Sequence, residues 1–596
     1  MNFKSTLSTL CLSILTFLAY AQNGNVRGAI TDATNGEAIM FANILVKETG
    51  TGTTTDLDGR YSLSLAAGTY TLEFSYIGYA NLTVTDVNVE AGKDTELQVK
   101  MSEDSQVLDE VVVTATEIKN TETALLSIQR RALGLLDGVS TQSMKRAGDG
   151  DVGSAIKRVT GVSVEGGKHV IVRGLGDRYS KTILNGMTVP GLDPDRNSVQ
   201  LDLFPTNLVD NIIVYKSFTP DLPGDFTGGM VDIITKDFPD SRTLSFSVGG
   251  TFNPSMHFNS GFLTYEGGST DFLGYDDGTR ALRLPTSFDI PSIADQNITL
   301  TNVTRLFNPT MATMQDRNGI NYNLSASYGN QFNLKGIDLG FTLSANYRNE
   351  TEFYENVQFN TYFKDPDLTV NELFRDVTRE GQLGISNVLW STLAGLAMKT
   401  DRHKVSLSAL RSQNGVSRAT FQNQQTFETG VATHERHGLE YTERQVTNFL
   451  LAGKHNFADG NLEVIWKASP TFSKMSEPDI RLTAYETTNG NFELNPSTGG
   501  GVTRTWRALE ESNYAGNLDI RYTFSGIKGL STKVKAGFSG VMKERDFEIF
   551  DYTFPIRKRG TITFTGDPNE LFTDELIWNP EQDNGIYALF NFEPAK

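Results

Sequence analysis

The sequence predicts a mainly β protein with an N-terminal β-sandwich, a small α/β domain and a transmembrane antiparallel β-barrel. Three observations predict this class. Short alternating runs separated by turn residues occupy residues 26–101, and a glycine-rich stretch with mixed helix and strand patterns extends to Asp237. From Ser241 onward, long two-residue alternation continues without a helical period. The length of 596 residues exceeds what one hydrophobic core usually organises, which supports several domains.

The N-terminus has the pattern of a secretory signal peptide. Lys4 precedes an apolar run from Leu10 to Leu18, and Ala19-Tyr20-Ala21 follows, so residues 1–21 are expected to be cleaved after Ala21. The single cysteine, Cys11, lies inside this segment, so the exported chain is expected to have no disulfide. No later apolar run reaches about 18 residues, so a membrane span would have to be made of strands.

Residues 22–104 are predicted to form the sandwich because their runs alternate as half-buried strands do, with glycine turns between them. The runs are Arg60–Leu65, Tyr70–Tyr76 and Leu82–Val84. The segment Thr55–Gly59 begins like a calcium-binding loop but lacks the later calcium ligands of such a loop, which favours a plain turn.

Residues 119–238 are predicted to form the small α/β domain. Ala155, Ile156 and Val159 have helical spacing and Gly161 follows as a stop signal, while Asn185-Gly186 is a favoured hairpin pair. The predicted strands are Val170–Val172, Thr182–Leu184, Met187–Val189, Ile212–Val214 and Met230–Ile234.

Residues 239–596 have the alternation of a lipid-facing barrel with a wet interior. Leu339, Leu343 and Tyr347 share one face of a predicted strand, and Thr342 and Ser344 share the other. A large soluble β-sandwich is the alternative, because its strands alternate too. The runs of about nine to eleven residues suit an oblique bilayer crossing and favour the barrel. The polar segments Thr270–Asn321 and Gln413–Thr447 are predicted to be external loops.

Residues 105–118 contain the valine-rich run Val107–Thr116, read VLDEVVVTAT. Three successive β-branched residues favour an extended backbone, yet no hairpin partner is evident nearby. One interpretation is a buried strand of a neighbouring domain. The other is a segment kept for strand addition to another protein.

The sequence contains no signature of catalysis. His434-Glu435-Arg436-His437 misses the spacing of a zinc-protease motif and is interpreted as a solvated loop, and Arg173-Gly174-Leu175-Gly176 lacks the Lys-Ser/Thr of a phosphate loop. We therefore expect no enzyme, no cofactor and no metal site. The net charge of −18 argues against a nucleic-acid partner.

The N-terminal stretch resembles the carboxypeptidase-regulatory-like domain, an accessory sandwich without catalytic residues. The likeness rests on Gly28, Ala42–Ile44, Gly52, Thr55–Tyr61, Gly68–Tyr70 and Tyr76–Tyr79.

Residues 107–236 resemble the coupling segment and plug domain of TonB-dependent outer-membrane transporters. The TonB-box likeness rests on Glu110, Val111, Val112, Val113, Thr114 and Ala115. The plug likeness rests on Ala155–Val162, Val172-Arg173-Gly174, Leu184-Asn185-Gly186, Ile212–Lys216 and Gly228-Gly229 with the strand up to Lys236. Together with the sandwich domain, this is the arrangement typical of Bacteroidota transporters.

The resemblance implies an exported outer-membrane protein that imports a scarce ligand, such as a siderophore or a glycan. A plug would block the barrel, and TonB with its inner-membrane energising complex would pull on the valine segment after adding it as a strand. The expected partners are TonB, outer-membrane lipid and a small-molecule or oligosaccharide ligand. Arg173 and its neighbours Lys157, Arg158, Asp177 and Arg178 would pair with lumen residues or solvate the plug surface, whereas Gly228 and Gly229 would serve backbone geometry.

The sequence also departs from the family. The segments Gly174–Tyr179 and Asp193–Asn197 differ from the sequence usual in the carbohydrate-uptake subfamily, whose members work with a lipoprotein lid. This difference argues against such a lid partner. Residues 241–596 suffice for about 12 to 14 strands, fewer than the 22 of family barrels, so an N-terminal fragment is expected. The alternative functions are a surface receptor or adhesin without energised transport, and a secreted β-sandwich protein. The loop aromatics Tyr265, Phe272, Tyr275 and Tyr354 would suit sugars and siderophore rings alike.

Overall fold

The computed structural model describes residues 23–33, 36–76, 79–102, 121–196, 198–237, 242–285, 288–427, 431–488, 491–494, 501–525, 531–558 and 562–590. The chain divides into two compact units, Met1–Thr114 and Ala115–Lys596.

The N-terminal unit is a β-sandwich, as predicted. One sheet has the order β4-β1-β7 with β8 also paired to β1, and the other has the order β3-β2-β5-β6. Its strands are β1 (Asn23–Asp32), β2 (Asn43–Val46), β3 (Gly52–Thr54), β4 (Arg60–Ala66), β5 (Gly68–Ser75), β6 (Leu82–Val89), β7 (Asp94–Glu96) and β8 (Val99–Met101). Alternate residues of β4 are buried, because Tyr61, Leu63 and Leu65 face the core between the sheets. Asp56 Oδ1 accepts hydrogen bonds from the backbone N–H groups of Asp58 and Arg60, which is the geometry of a turn.

The second unit begins with a small α/β domain built on a five-stranded sheet of order β13-β12-β15-β14-β9. Its helices and strands are α1 (Glu122–Arg131), β9 (Leu136–Ser140), α2 (Thr141–Ala147), α3 (Val152–Ile156), β10 (Val162–Glu165), β11 (His169–Val172), β12 (Ser180–Leu184), β13 (Met187–Thr188), β14 (Val209–Tyr215) and β15 (Gly229–Thr235). The β10–β11 hairpin is not part of that sheet. Within the sheet, β12 is parallel to β15 and antiparallel to β13. Thr121, Ser140 and Asp151 cap the three helices with side-chain oxygens.

The rest of the unit is dominated by a 12-stranded sheet, so the strands predicted for the barrel wall are present and the mainly β class is confirmed. The elements are β16 (Thr243–Thr251), β17 (Phe262–Thr264), α4 (Ile298–Thr304), β18 (Met314–Asp316), β19 (Asn321–Leu334), β20 (Ile337–Gln358), β21 (Thr361–Lys364), β22 (Leu373–Lys399), β23 (His403–Thr426), β24 (Ala432–Phe457), β25 (Leu462–Thr488), β26 (Asn491–Glu493), β27 (Gly501–Ser525), β28 (Ser531–Thr553), β29 (Ile556–Arg557), β30 (Gly585–Ile586) and β31 (Leu589–Phe590). Its long strands are all antiparallel and follow chain order from β19 to β28.

The long strands exceed the predicted length, since β20 has 22 residues and β22 and β25 have 27 each. About nine to eleven tilted residues cross a bilayer, so half or more of each of these strands continues beyond that span. The prediction of a loop over Gln413–Thr447 is therefore wrong, because most of this segment forms β23 and β24, and His434–His437 also lies in β24. The parts of the strands that extend beyond the bilayer do not face lipid and can therefore be polar. Their polar sequence resembles that of a loop, which explains the wrong prediction.

The alternation predicted along β20 is confirmed. Leu339 and Leu343 are exposed on one surface of the sheet, at 39% and 52% of their accessible area, whereas Thr342 and Ser344 are buried on the other. Among the described residues, no helix has both the length and the apolar character needed to span a bilayer.

Candidate functional site

The α/β domain is seated on one surface of the large sheet, which we call the inner surface. Six buried apolar side chains of the sheet pack into the same hydrophobic cluster as the core of the α/β domain; they are Leu389, Leu393, Leu410, Val446, Met475 and Leu509. The domain is therefore held first by a continuous apolar layer, because burial of such side chains stabilises the contact.

Arg444 of β24 makes the most deeply buried ionic contact of this interface. Its two terminal nitrogens donate to the carboxylate of Asp202 at 3.2 and 2.7 Å, and it also donates to Gln200 and to Asn414 of the neighbouring strand. Burial alone would raise the pKa of Asp202, but Arg444 and then Lys168 hold that pKa below its ordinary value. Asp202 is therefore ionised, and the pair is a charge-assisted fork across the interface.

A second buried pair joins β20 to the start of helix α3. Arg348 donates to Asp151 Oδ2 at 2.8 Å, while Asp151 Oδ1 accepts from the Ser154 N–H at 2.8 Å as the helix cap. One carboxylate thus fixes both the helix start and the position of the domain on the sheet.

The hairpin turn Asn185-Gly186 forms a third contact. Both residues have positive φ, of 53° and 78°, as the favoured two-residue turn requires. The Asn185 carbonyl accepts from Lys467 Nζ of β25 at 2.7 Å, and the Gly186 N–H donates to Asp232 Oδ1 at 2.9 Å. Burial raises the pKa of Asp232 to about 6, although the hydrogen bond from Gly186 and the charge of Lys467 oppose the shift.

Further charged contacts have the same polarity, since the basic groups come from the sheet and the acceptors come from the α/β domain. They include Lys404 with Asp237, Lys535 with Asp221 at 3.1 Å, Arg507 with Asp195 at 3.9 Å, and Arg545 with the Asp193 carbonyl at 2.7 Å. An uncharged contact joins Asn207 to the Ala345 carbonyl at 3.3 Å.

The charges chosen from the sequence do not make these contacts. Arg158 pairs with Asp149 of its own domain at 2.7 Å, and Arg173 donates to the Lys216 carbonyl at 2.6 Å, so of the two alternatives both residues follow the second and lie on the surface of the domain. The ion pairs that cross the interface use acidic residues of the α/β domain. Those residues are Asp151, which immediately precedes a helix, and Asp202, which is surrounded by apolar residues in the sequence.

The glycines of the predicted motif occupy positions where a side chain would collide with the backbone or with the core. A Cβ on Gly228 would lie 2.9 Å from Leu175 Cβ, and one on Gly229 would lie 2.6 Å from Val172 Cγ1. Gly174 has a φ of +77°, a backbone conformation that favours glycine. A Cβ at this position would meet no atom within 4 Å, so packing alone does not require glycine here.

The predicted coupling residues Glu110, Val111, Val112, Val113, Thr114 and Ala115 lie outside the described residues. Within the described part of the chain, no group of three or more His, Cys, Asp or Glu side chains is arranged to hold a metal ion. At the interface, the buried charges of Arg444 and Arg348 are matched by Asp202 and Asp151.

The α/β domain is thus packed on the inner surface of a long-stranded sheet through an apolar layer and ion pairs. Two family models match the chain: the CarboxypepD_reg-like domain matches residues 26–113, and the TonB-dependent receptor plug domain matches residues 129–230. TonB-dependent receptor P3 of Formosa agariphila is 35% identical over 114 residues, which is 19% of this chain and 11% of that protein. TonB-dependent receptor SusC of Bacteroides thetaiotaomicron is 38% identical over 111 residues, which is 19% of this chain and 10% of that protein.

The aligned part of the chain thus spans about a tenth of the length of these two relatives. The ferric yersiniabactin uptake receptor FyuA of Yersinia pestis has 12% identity and a TM-score of 0.31, with 70% of this chain and 61% of that one covered. The resemblance found in the sequence is confirmed for two domains: residues 26–113 match the carboxypeptidase-regulatory-like domain and residues 129–230 match the plug domain of TonB-dependent receptors, and the similar proteins are TonB-dependent receptors of Formosa and Bacteroides. From here on, the α/β domain is called the plug.

Proposed function

We propose that the chain is part of an energised importer of the outer membrane, exported through the signal peptide of residues 1–21. The plug closes the passage beside the inner surface of the sheet, and TonB releases it by pulling on Glu110–Ala115. The observation that carries the proposal is the interface itself, where a separate domain is held by a small apolar layer and a few ion pairs.

The division of charge supports release without unfolding of the sheet. Four of the basic groups, Arg348, Lys404, Arg444 and Lys467, belong to strands paired on both sides by backbone ladders, whereas their acceptors belong to the plug. Lys535 and Arg545 belong to β28, which at these residues is paired with β27. When the plug moves, water can solvate the separated charges, which recovers part of the energy of the lost pairs. The expected ligand is a small molecule or an oligosaccharide, and energy would come from the inner-membrane proton gradient through TonB.

The coupling role is tested by replacing Glu110–Ala115 with six Gly and Ser residues in the full reading frame. This change keeps the linker length but removes the β-branched run that favours strand addition. We expect growth of the strain on the transported ligand to be lost, while binding of that ligand to whole cells is unchanged. The ligand is first found by growing a knockout on a panel of iron chelates and glycans.

The matched control replaces Asp104–Asp109 with the same Gly-Ser linker and should leave uptake intact. If the first variant takes up ligand as well as the parent does, the coupling role is wrong. The chain would then be better described as an outer-membrane binding receptor or adhesin without energised transport.

A further inference from the structure

The surface of the sheet opposite the plug, which we call the outer surface, is also covered in part. Neighbouring residues on β20, β22 and β23 show this, because the side chains of consecutive strand residues point to opposite surfaces of the sheet. Arg348, Leu389 and Asn414 contact the plug or its partner Arg444. The residues beside them, Tyr347, Trp390 and Gln413, bind the carbonyls of Phe272, Leu273 and Gly274 at 2.7 to 2.9 Å.

The covering consists of residues 252–285 and 288–320 with residues 554–558 and 562–590, which we call the annex. Its two parts are joined by hydrogen bonds from Thr301 Oγ1 to the Trp578 carbonyl and from the Met311 N–H to Asn569 Oδ1, both at 2.8 Å. Tyr265, one of the predicted ligand-binding aromatics, is instead a buried anchor that donates to the Glu440 carbonyl at 3.0 Å. The annex is therefore a packed structure.

A groove of about 560 Å³ lies between the paired strands β17 and β18 of the annex and strands β20, β22, β23 and β24. Its strand residues Gln382, Phe421 and His437 are paired across the sheet, and the register continues without a shift to Trp390 and Gln413. They therefore share the outer surface, and the groove lies on the other side of the sheet from the plug. A volume of this size is ordinary for a small-molecule site.

The groove has an apolar floor and a polar rim. Leu263 and Phe421 form the apolar part, and the Phe421 ring packs against the His437 ring with 5.0 Å between centroids. The Thr313 N–H donates to His437 Nδ1 at 3.2 Å, which fixes this ring in place. The rim is made of carboxylates and amides, namely Glu355, Glu380, Gln315, Asn356, Gln382 and Asn423.

The charge of the rim decides which ligands fit. Among the described residues that line the groove there is no Lys or Arg, while Glu355 and Glu380 are exposed acceptors. A carboxylate or phosphate ligand would be repelled, whereas hydroxyl and amino groups can donate to the carboxylates and amides. An aromatic floor supplies an apolar surface for the face of a sugar ring.

We propose that this groove binds a saccharide without acidic groups, either neutral or amino-bearing, at the outer surface of the sheet. The site is separate from the passage that the plug closes, so it captures its ligand without placing it on the import path. The ligand would be a free oligosaccharide or the sugar of a surface glycolipid, which share this chemistry. The proposal does not depend on coupling to TonB.

Binding is measured by calorimetry on the full chain in detergent, with three probes: a neutral β-glucan hexamer, a chitosan hexamer and a polygalacturonate hexamer. We expect the first two to bind and the acidic hexamer to bind at least about tenfold more weakly. Phe421→Ala should weaken the neutral hexamer at least about tenfold, whereas Phe457→Ala, which removes an exposed aromatic at the far end of β24, should not.

The double substitution Glu355→Gln and Glu380→Gln should leave the protein folded, because both side chains are exposed. It should allow the acidic hexamer to bind while the neutral hexamer still binds. Competition by lipopolysaccharide purified from the host would identify a surface glycolipid as the source, and lack of competition would identify a free saccharide. Equal binding of the acidic hexamer to the parent chain, or no binding of either other probe below about 10 mM, would overturn the proposal.

Discussion

The two surfaces of the large sheet are covered by different means. On the inner surface a separate domain is held by an apolar layer and by basic residues that reach across to its carboxylates. On the outer surface the annex is continuous with the strands, and Arg504 is fully buried between Asp479 and the rings of Phe307, Trp506 and Phe572. Both contacts contain buried apolar clusters, but the charged pairs of the inner contact join two domains, whereas those around Arg504 on the outer surface lie between neighbouring strands of the sheet.

The largest effect is expected from Arg444→Met. This change leaves Asp202 buried without its guanidinium partner, which typically costs about 3–5 kcal/mol, and it should loosen the plug while the annex stays protected. Hydrogen exchange of residues 198–204 and 300–307 in the full chain measures both regions. Arg504→Met is the matched control and should give the reverse pattern; equal loosening of both regions by either variant would break the comparison.

Leu343→Arg tests whether the outer surface below the annex faces lipid. Leu343 is half exposed on the surface opposite the plug, and an arginine at mid-depth of a bilayer costs about 2–4 kcal/mol. We expect a lower folded fraction in lipid vesicles, measured by heat-modifiable migration on a gel. Leu368→Arg serves as the control, because that leucine is 82% exposed in a loop; an equal loss in both variants would contradict a lipid-facing surface at Leu343.

Asp232→Asn should stabilise the plug at neutral pH. The raised pKa of about 6 means that the folded state holds the proton more tightly than the unfolded chain, so stability falls as pH rises from about 4 to about 6. The amide keeps an acceptor for the Gly186 N–H but loses the attraction of Lys467, so the gain at pH 7 is on the order of 2 kcal/mol.

Hydrogen exchange of β12 and β15 in parent and variant at pH 4.5 and 7.5 measures this gain. The two proteins should differ at pH 7.5 and converge at pH 4.5. A difference of the same size at both pH values would show that Asp232 does not titrate in this range.

The smallest effect is expected from Arg158→Gln. The arginine is on the plug surface and its partner Asp149 lies in the same domain, so the pair does not cross the interface. Exchange of residues 198–204 should equal that of the parent chain. A loosening close to that of Arg444→Met would show that plug charges in general, and not the crossing pairs, hold the plug in place.

Local patterns in the sequence were sufficient for the domain classes and for several strands. The sandwich run Arg60–Leu65 and the turn Asn185-Gly186 form where their patterns predict, because alternation and turn chemistry depend on neighbouring residues. The partners across the interface could not be predicted, since Asp202 and Arg444 are 242 residues apart. The ends of the long strands could not be predicted either, because β23 and β24 continue through polar sequence in which the strand is held mainly by backbone pairing with its neighbours.

Strand β9 determines how tension would enter the plug. It is the edge strand of the plug sheet, it precedes the other strands in the chain, and five residue pairs join it to β14. A pull from the N-terminal side would pass through helix α1 and reach β9 before any other strand of the plug sheet. Because β9 is joined to that sheet along one edge only, it can separate from β14 while β12, β13, β14 and β15 stay paired with one another. Tension would thus act on the short β9–β14 ladder before it acts on the middle of the plug sheet.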